Sequence, residues 1–184
     1  MNMKKRILTI VIMLIVAGVI VVADQITKFY AAQLTIGQKH PVIEGFFYIT
    51  YCRNTGAAWS MFTGKVSALA IISLLASLLV IFLLVFSRYK LMSLSLGFIL
   101  GGAVGNLIDR FALGYVNDFL DFYIFTYDFP VFNVADSFVV IGAMCMVLAL
   151  LLSGKNKLFE FPWDRKKLTA AEPSSEPEQE KNEQ

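Results

Sequence analysis

Four long apolar stretches alternate with polar segments along the 184-residue chain, at residues 7–23, 66–86, 91–108 and 134–152. They are 17 to 21 residues long, close to the roughly 20 residues that an α-helix needs to cross the hydrocarbon core of a bilayer. Together with their flanking residues they predict four transmembrane helices, at about residues 7–28, 66–86, 91–110 and 133–152. We therefore expect an all-α polytopic membrane protein whose single domain occupies residues 1–168.

The first apolar stretch follows three basic residues, an arrangement that secretory signal peptides share. It is long, however, it has no small-residue cleavage site at its end, and it runs directly into Asp24, Gln25 and Lys28. We expect it to remain in the protein as the first membrane span.

The polar segments 29–65 and 111–132 are predicted to be two loops on the same side of the membrane. Residues 35–63 contain a run of aromatic and β-branched side chains between Pro41 and Asn54, which favours a small β-rich element at the membrane surface. The second segment is also aromatic and is predicted to be a loop over the outer end of the helices. Residues 169–184 have two prolines, five glutamates and no aromatic residue, which predicts a disordered acidic tail.

The distribution of basic residues predicts the orientation in the membrane. With four spans both termini lie on one side, and that side carries ten Lys and Arg residues before the tail, against five on the opposite side. Lys and Arg accumulate in cytoplasmic segments. We therefore expect both termini in the cytoplasm and the two long loops outside.

Composition restricts the chemistry further. Apolar residues make up 57% of the chain and charged residues 16%, whereas soluble domains carry about 25% charged residues. The net charge of +2, without a basic segment interleaved with aromatic residues, excludes nucleic acid as a partner. His40 and two distant cysteines do not suit a zinc site, a serine–histidine catalytic pair or a structural disulfide. We expect no metal and no cofactor.

Of the nine acidic residues before the tail, seven lie at or beyond the outer ends of the predicted helices: Asp24, Glu44, Asp109, Asp118, Asp121, Asp128 and Asp136. Ionisable side chains at such positions are unfavourable unless they are paired or hydrated, so each is a candidate functional residue. Asp136 also has a structural interpretation. Asn133 lies three residues earlier, and an Asn N-cap followed by an acid at the third helical position satisfies free backbone N–H groups.

Asp24 and Asp109 lie at predicted helix C-termini, where the helix dipole disfavours a negative charge. Lys28 follows Asp24 by four residues, a spacing that allows an ion pair if the helix continues. For Asp109, the adjacent Arg110 is the available cation. We expect both acids to have structural roles.

A pair of neighbouring carboxylates is the catalytic option that this composition leaves. Two such groups cannot both ionise near neutral pH, so one keeps a proton and the pair acts as acid and base on a water molecule. Asp118 and Asp121 have similar aromatic and aliphatic flanks, and spacing alone does not choose between them. A Ser60/Lys65 dyad remains as an alternative.

Glycines and amide side chains in and near the predicted helices are further candidates for a role in packing or in the site. Gly97, Gly101 and Gly105 follow a Gly-x-x-x-Gly spacing, which lets membrane helices approach closely. Three amides are candidates for orienting carboxylates or holding a peptide backbone: Asn54, Asn106 and Asn133. Cys52 is assigned no role.

Five short motifs occur along the chain: Asp24-Gln25-x-Thr27-Lys28; Asn54-x-Gly56-Ala57-Ala58-Trp59; Gly101-Gly102-x-x-Gly105-Asn106-Leu107-x-Asp109-Arg110; Val116-x-Asp118-Phe119; and Phe132-Asn133-x-Ala135-Asp136-Ser137. In this order they resemble the lipoprotein signal peptidases, also called signal peptidase II. The resemblance runs from Asp24 to the end of the fourth apolar stretch. Trp59 stands where many members have Phe, and the acidic tail lies outside the shared pattern.

The resemblance implies a membrane aspartic endopeptidase with Asp118 and Asp136 as its catalytic pair, which leaves Asp121 outside that pair. The residues implied to bind substrate or support the site are Asp24, Lys28, Asn54, Gly56, Asn106, Asp109, Arg110 and Asn133. The implied substrates are prolipoproteins whose lipobox cysteine already carries diacylglycerol, and the bond cut lies just before that cysteine. We expect a monomer in a bacterial cytoplasmic membrane, in contact with membrane lipids and with its active site near the outer leaflet.

A non-enzymatic membrane scaffold or a small transporter is the competing class. The predicted helices carry no charge near their midpoints, where transport sites usually lie. Seven acids on the outer side also exceed what a scaffold requires. A peptidase shortens a lipidated precursor, whereas a scaffold leaves its length unchanged.

Overall fold

The computed structural model describes residues 3–56, 64–125, 127–154 and 158–161. In chain order the elements within these ranges are α1 (Met3–Ala31), β1 (Lys39–Ile43), β2 (Phe47–Asn54), α2 (Val66–Phe86), α3 (Lys90–Leu113), β3 (Val116–Ile124), β4 (Tyr127–Asp128) and α4 (Val134–Ser153). By length and composition, all four of these helices are able to cross a membrane. The predicted fold class is confirmed.

The helices follow the predicted apolar stretches and differ from them mainly at their ends. The bounds of α2 are those predicted. α1 continues past Lys28 to Ala31, and within it Lys28 pairs with Asp24 one turn earlier and is buried with it. α3 continues to Leu113 and ends at Gly114, whose φ of 75° is a left-handed conformation that glycine adopts without strain.

The strands form an antiparallel sheet in the order β1-β2-β3-β4. β1 and β2 are the β-rich element predicted within residues 35–63. The second outer segment differs from the prediction of a loop, because residues 116–124 form β3 and pair with β2. The partner strand is distant in sequence and the alternation of β3 is only partial, so the local pattern did not indicate a strand.

α3 lies at the centre of the helices. In the most apolar 18-residue stretch of α3, 61% of the residues are buried, against 17–28% in the corresponding stretches of the other three helices. α3 packs on α1, α2 and α4. Glycine makes these contacts possible. A Cβ on Gly101 would lie 2.9 Å from the Cβ of Ile20 in α1, and a Cβ on Gly102 would lie 2.7 Å from Val139 Cγ2 in α4. The other helices expose many Leu, Ile and Val side chains, as membrane-spanning helices do.

Gly102→Ala is expected to push α3 away from α4. The added methyl group would meet Val139 and the backbone of Ala135, so we expect the free energy of unfolding to fall by about 1–3 kcal/mol. Gly18→Ala in α1 is the matched control, because no heavy atom lies within 4 Å of its added Cβ. Thermal unfolding of both variants in detergent measures the difference, and equal midpoints would contradict this packing.

Candidate active site

The N-terminus of α4 holds the first of two acidic side chains at the candidate site. Asn133 Oδ1 accepts a hydrogen bond from the backbone N of Asp136 at 2.9 Å, and Asp136 Oδ2 accepts one from the backbone N of Asn133 at 3.3 Å. This reciprocal capping box confirms the predicted capping role. Asp136 Oδ1 accepts a further hydrogen bond from Asn106 Nδ2 at 2.7 Å. The carboxylate is therefore fixed at the end of α4 where the helix dipole favours negative charge.

Asp118 on β3 is the second acidic side chain, and it is 2% exposed. Its Oδ1 accepts a hydrogen bond from Asn133 Nδ2 at 2.6 Å. Its Oδ2 accepts one from Asn54 Nδ2 at 2.9 Å. The Asn133 side chain therefore contacts both acids, through its nitrogen to the Asp118 carboxylate and through its oxygen to the backbone of Asp136.

Both acids border one cavity of about 600 Å³. One part of its lining consists of six predicted site residues and one serine: Asn54, Gly56, Asn106, Arg110, Asp118, Asp136 and Ser137. Its apolar wall comes from β3, from the segment after β4 and from α4: Val116, Phe129, Pro130, Val131, Phe132, Val139, Val140 and Ile141. Val140 and Ile141 are also exposed on the outside of α4. The cavity thus combines a few polar groups with an apolar wall, as ligand sites usually do.

Burial raises the pKa of the Asp118 carboxyl to about 7, and the negative charge of Asp136 adds to this rise. Hydrogen bonds from Asn54 and Asn133 and the positive charge of Lys28 act in the opposite direction. A carboxyl whose pKa lies near the working pH is suited to general acid–base chemistry.

A buried ion cluster lies next to the two acids. Lys28 is 1% exposed, and its Nζ lies 2.8 Å from Asp24 Oδ2 and 3.2 Å from Asp109 Oδ2. The predicted Asp24–Lys28 pair is confirmed. The expected pairing of Asp109 with Arg110 is wrong: Asp109 contacts Lys28 and accepts a hydrogen bond from the backbone N of Asn117 at 2.9 Å. Adjacent side chains on a helix do not face each other, and Arg110 borders the cavity instead.

Asn106 connects the ion cluster to the two acids. Its Oδ1 accepts hydrogen bonds from Lys28 Nζ at 2.9 Å and from Asn133 Nδ2 at 3.0 Å, and its Nδ2 donates to Asp136. A continuous series of hydrogen bonds therefore runs from Lys28 to both carboxylates. Rotation of one amide would leave buried neighbours without partners, so the series holds each side chain in one orientation.

Gln25 is part of this site although no role for it was predicted. Its Nε2 donates to Asp109 Oδ1 at 3.0 Å and to the Gly105 carbonyl at 3.2 Å, and it lies 3.2 Å from Asp24 Oδ2. It thereby links α1 to α3. Gly105 is required for the same contact, since a Cβ there would lie 2.7 Å from Asp24 Oδ2. The position of Gln25 beside Asp24 in the first motif is the signal that could have identified it.

Asp121 lies on the opposite face of β3 from Asp118. The two are three residues apart, and side chains on a strand alternate between its faces. Asp121 is 1% exposed, and its Oδ2 accepts a hydrogen bond from Thr50 Oγ1 at 2.6 Å. It is not among the residues that line the cavity. The geometry thus separates two acids that sequence spacing left equivalent.

Some predicted features fall outside the described residues. They include Ser60 of the alternative dyad, Trp59, and the tail at residues 169–184. Lys65, the other member of that dyad, is described and is exposed before α2. The dyad and the disordered tail stay predictions.

The profile of the signal peptidase II family matches residues 14–152. This range includes both acids, the ion cluster and every residue of the cavity. The chain belongs to the signal peptidase II family.

Individual relatives agree with this assignment. The lipoprotein signal peptidase of Trichormus variabilis is 51% identical over 133 residues, which cover 70% of this chain and 82% of that protein. The lipoprotein signal peptidase of Staphylococcus haemolyticus is 43% identical over 158 residues, which cover 84% of this chain and 99% of that protein. A bacterial membrane enzyme solved by the in meso method at 2.3 Å resolution is 36% identical with a TM-score of 0.72, covering 85% of this chain and 93% of that one.

Membership of the signal peptidase II family makes this chain a multi-pass bacterial membrane protein with peptidase activity. The scaffold and transporter interpretations are therefore rejected. The roles of individual residues in this chain stay predictions.

Lys28→Met is expected to destabilise the protein strongly. The substitution removes the positive charge and leaves Asp24 and Asp109 buried without their cation. Removing one partner of a buried ion pair costs about 3–5 kcal/mol of unfolding free energy. Lys65→Met, at an exposed position, is the matched control. Chemical unfolding in detergent compares the two, and a Lys28→Met midpoint equal to that of the control would contradict the importance of the cluster.

Proposed function

We propose that this chain is an aspartic endopeptidase that removes the signal peptide from diacylglyceryl-modified prolipoproteins, cutting just before the lipidated cysteine. The relatives named lipoprotein signal peptidases support this class of substrate. One observation carries the catalytic assignment: Asp118 and Asp136 border the same cavity and are both contacted by Asn133. These two acids are the catalytic pair of the proposal.

In the first step, the two carboxyls share one proton. The ionised carboxyl takes a proton from a water molecule, whose oxygen attacks the carbonyl carbon of the scissile peptide bond. The protonated carboxyl gives its proton to the carbonyl oxygen. The result is a tetrahedral diol, and the single proton of the pair now lies on the other carboxyl.

In the second step, the carboxyl that now carries the proton donates it to the nitrogen of the lipidated cysteine. The carbon–nitrogen bond breaks, and the other carboxylate takes a proton from one hydroxyl of the diol. The products are a signal peptide with a new carboxyl group and a lipoprotein with a free amine. The catalytic pair returns to its starting protonation state.

The amide side chains fix the catalytic pair in this proposal. Asn54 and Asn133 each donate to one oxygen of Asp118, and Asn106 donates to Asp136. Donors that are already oriented need no rearrangement when charge moves during the reaction. Arg110 borders the same cavity, and its positive charge is suited to binding carbonyl oxygens of the substrate backbone.

The apolar wall of the cavity supports a lipid-modified substrate. A diacylglyceryl group keeps its cysteine at the membrane, so the scissile bond approaches the enzyme near the interface. Phe129, Val131 and Val140 line the cavity on the apolar side. They are suited to contact acyl chains or an apolar signal peptide while the catalytic pair reaches the peptide bond.

The proposal also places both termini in the cytoplasm and the active site near the outer leaflet, in agreement with the excess of basic residues on the side of the termini. We expect an impermeant maleimide to label Glu44→Cys in intact cells but not Lys90→Cys, in a background without Cys52 and Cys145. Glu44 and Lys90 are both exposed. Labelling of Lys90→Cys with protection of Glu44→Cys would reverse the proposed orientation.

Asp118→Asn and Asp136→Asn are each expected to lower the cleavage rate by about 10²–10⁴-fold, because each removes one of the two proton-transfer groups. A gel-shift assay in detergent with a diacylglyceryl-modified precursor measures the rate. Asp128→Asn is the control, since Asp128 is exposed on β4 and does not line the cavity. Thermal unfolding verifies that each variant folds. Near-normal cleavage by either Asp118→Asn or Asp136→Asn would refute the catalytic pair.

The cleavage rate is expected to fall as the pH rises through about 7, the raised pKa of Asp118. Below this pH the pair keeps the proton that it must donate, and above it both carboxyls are ionised. Asn54→Leu removes a hydrogen bond that lowers this pKa. The cleavage rate of this variant should therefore begin to fall at a higher pH than that of the unmodified enzyme. Profiles of kcat/KM against pH measure both effects. A profile that is flat through this range, or that moves to lower pH in Asn54→Leu, would contradict the assignment.

A further inference from the structure

The pairing of β2 with β3 contains one extra residue. The register shifts between Ile49 and Cys52, so that Thr50 and Tyr51 together face a single residue of β3. Such a β-bulge changes the direction of the side chains that follow it. Because side chains alternate along a strand, one inserted residue moves every later side chain to the other face of the sheet.

The bulge places Asn54 on the site face of the sheet, by which we mean the face that carries Asp118. Ile49 pairs with Leu120 before the bulge and Cys52 pairs with Asp118 after it, so both lie on the site face. Regular alternation from Ile49 would put Asn54 on the opposite face. Its Nδ2 would then be unable to reach Asp118 Oδ2, which it contacts at 2.9 Å.

Two side-chain hydrogen bonds on the opposite face hold the two bulge residues. Thr50 Oγ1 donates to Asp121 Oδ2 at 2.6 Å, and Tyr51 OH donates to Asn117 Oδ1 at 3.0 Å. All four side chains are buried. Asn117 and Asp121 come before and after Asp118 on β3, so the two hydrogen bonds fasten the bulge on both sides of the catalytic residue.

A buried carboxylate such as that of Asp121 is a costly group to use if the contact with Thr50 serves only to stabilise the fold. The Oδ1 atom of Asp121 is buried and has no hydrogen-bond partner among the described residues. The ion-pair partner of Asp121 among the described residues, Lys39, lies 3.7 Å away with a side chain that is 45% exposed. Burying a carboxylate with so few partners costs free energy. Such exceptions to ordinary folding rules occur mainly where function requires them.

We propose that Thr50 and Asp121 form a positioning pair for peptide cleavage: their hydrogen bond holds the β2 bulge, and the bulge directs Asn54 to Asp118. This inference rests on the proposed function, because it takes Asp118 as catalytic. Neither Thr50 nor Asp121 lines the cavity. They therefore act through Asn54 and not on the substrate.

Matched substitutions separate the hydrogen bond from side-chain volume and from charge. Thr50→Val removes the hydroxyl at nearly constant volume, whereas Thr50→Ser keeps it. Asp121→Ala removes the acceptor, whereas Asp121→Asn keeps an acceptor oxygen for Thr50. We expect Thr50→Val and Asp121→Ala to lower kcat by about 10- to 100-fold with little change in KM, as misplacement of a reacting group does. Thr50→Ser and Asp121→Asn should stay close to the unmodified enzyme.

A double-mutant cycle with Asn54→Leu tests the route of the effect. If Thr50 acts through Asn54, adding Thr50→Val to Asn54→Leu causes no further loss of kcat. If kcat of the double variant instead falls by the product of the two single losses, the two residues act independently and the proposal is overturned. An unchanged kcat in Thr50→Val would also overturn it. An Asp121→Asn enzyme as inactive as Asp118→Asn would also overturn it, because the carboxyl of Asp121 would then itself be needed.

Hydrogen exchange distinguishes failure of this proposal from failure of the proposed function. Thr50→Val should accelerate exchange of the backbone amides at residues 51–54 whichever residues are catalytic, because the bulge loses a contact. Faster exchange with unchanged kcat, or unchanged exchange, would overturn the positioning pair. Retained cleavage in Asp118→Asn would instead overturn the proposed function.

Discussion

The buried contact of Lys28 with Asp24 and Asp109 is the interaction on which the rest of the structure depends. It joins α1 to α3, and the same two acids also bind backbone N–H groups of other elements. Asp24 Oδ1 accepts a hydrogen bond from Ala135 N at 2.8 Å, and Asp109 Oδ2 accepts one from Asn117 N at 2.9 Å. Ions are tolerated at such positions when they are paired and hydrogen-bonded. One cluster therefore locates the starts of α4 and β3, the elements that carry the two acids of the proposed catalytic pair.

Features that depend on local sequence were predictable. The bounds of α2 were predicted correctly because a membrane span needs a set length of apolar residues. The Asp24–Lys28 pair was predictable because residues four apart on a helix are neighbours. The cap formed by Asn133 and Asp136 was also predictable, since it involves one turn of helix.

Features that depend on distant segments were not predictable from spacing. The partner of Asp109 is Lys28 on another helix, and the adjacent Arg110 was therefore the wrong choice. The strand β3 appears only when β2 is present to pair with it. Spacing also left Asp118 and Asp121 equivalent, because which of them meets α4 depends on the face of a sheet that forms from distant segments. At the sequence level, the choice of Asp118 over Asp121 came from the family resemblance and not from spacing.

Sharing of one proton by Asp118 and Asp136 is measured most directly by infrared titration of the protonated carboxyl groups in the detergent-solubilised enzyme. We expect a carboxyl signal that disappears as the pH rises through about 7 and that is absent from Asp118→Asn. In Asp136→Asn it should disappear at lower pH, because the neighbouring negative charge that raises the pKa of Asp118 is lost. A signal that survives in Asp118→Asn, or whose titration does not respond to Asp136→Asn, would contradict a shared proton.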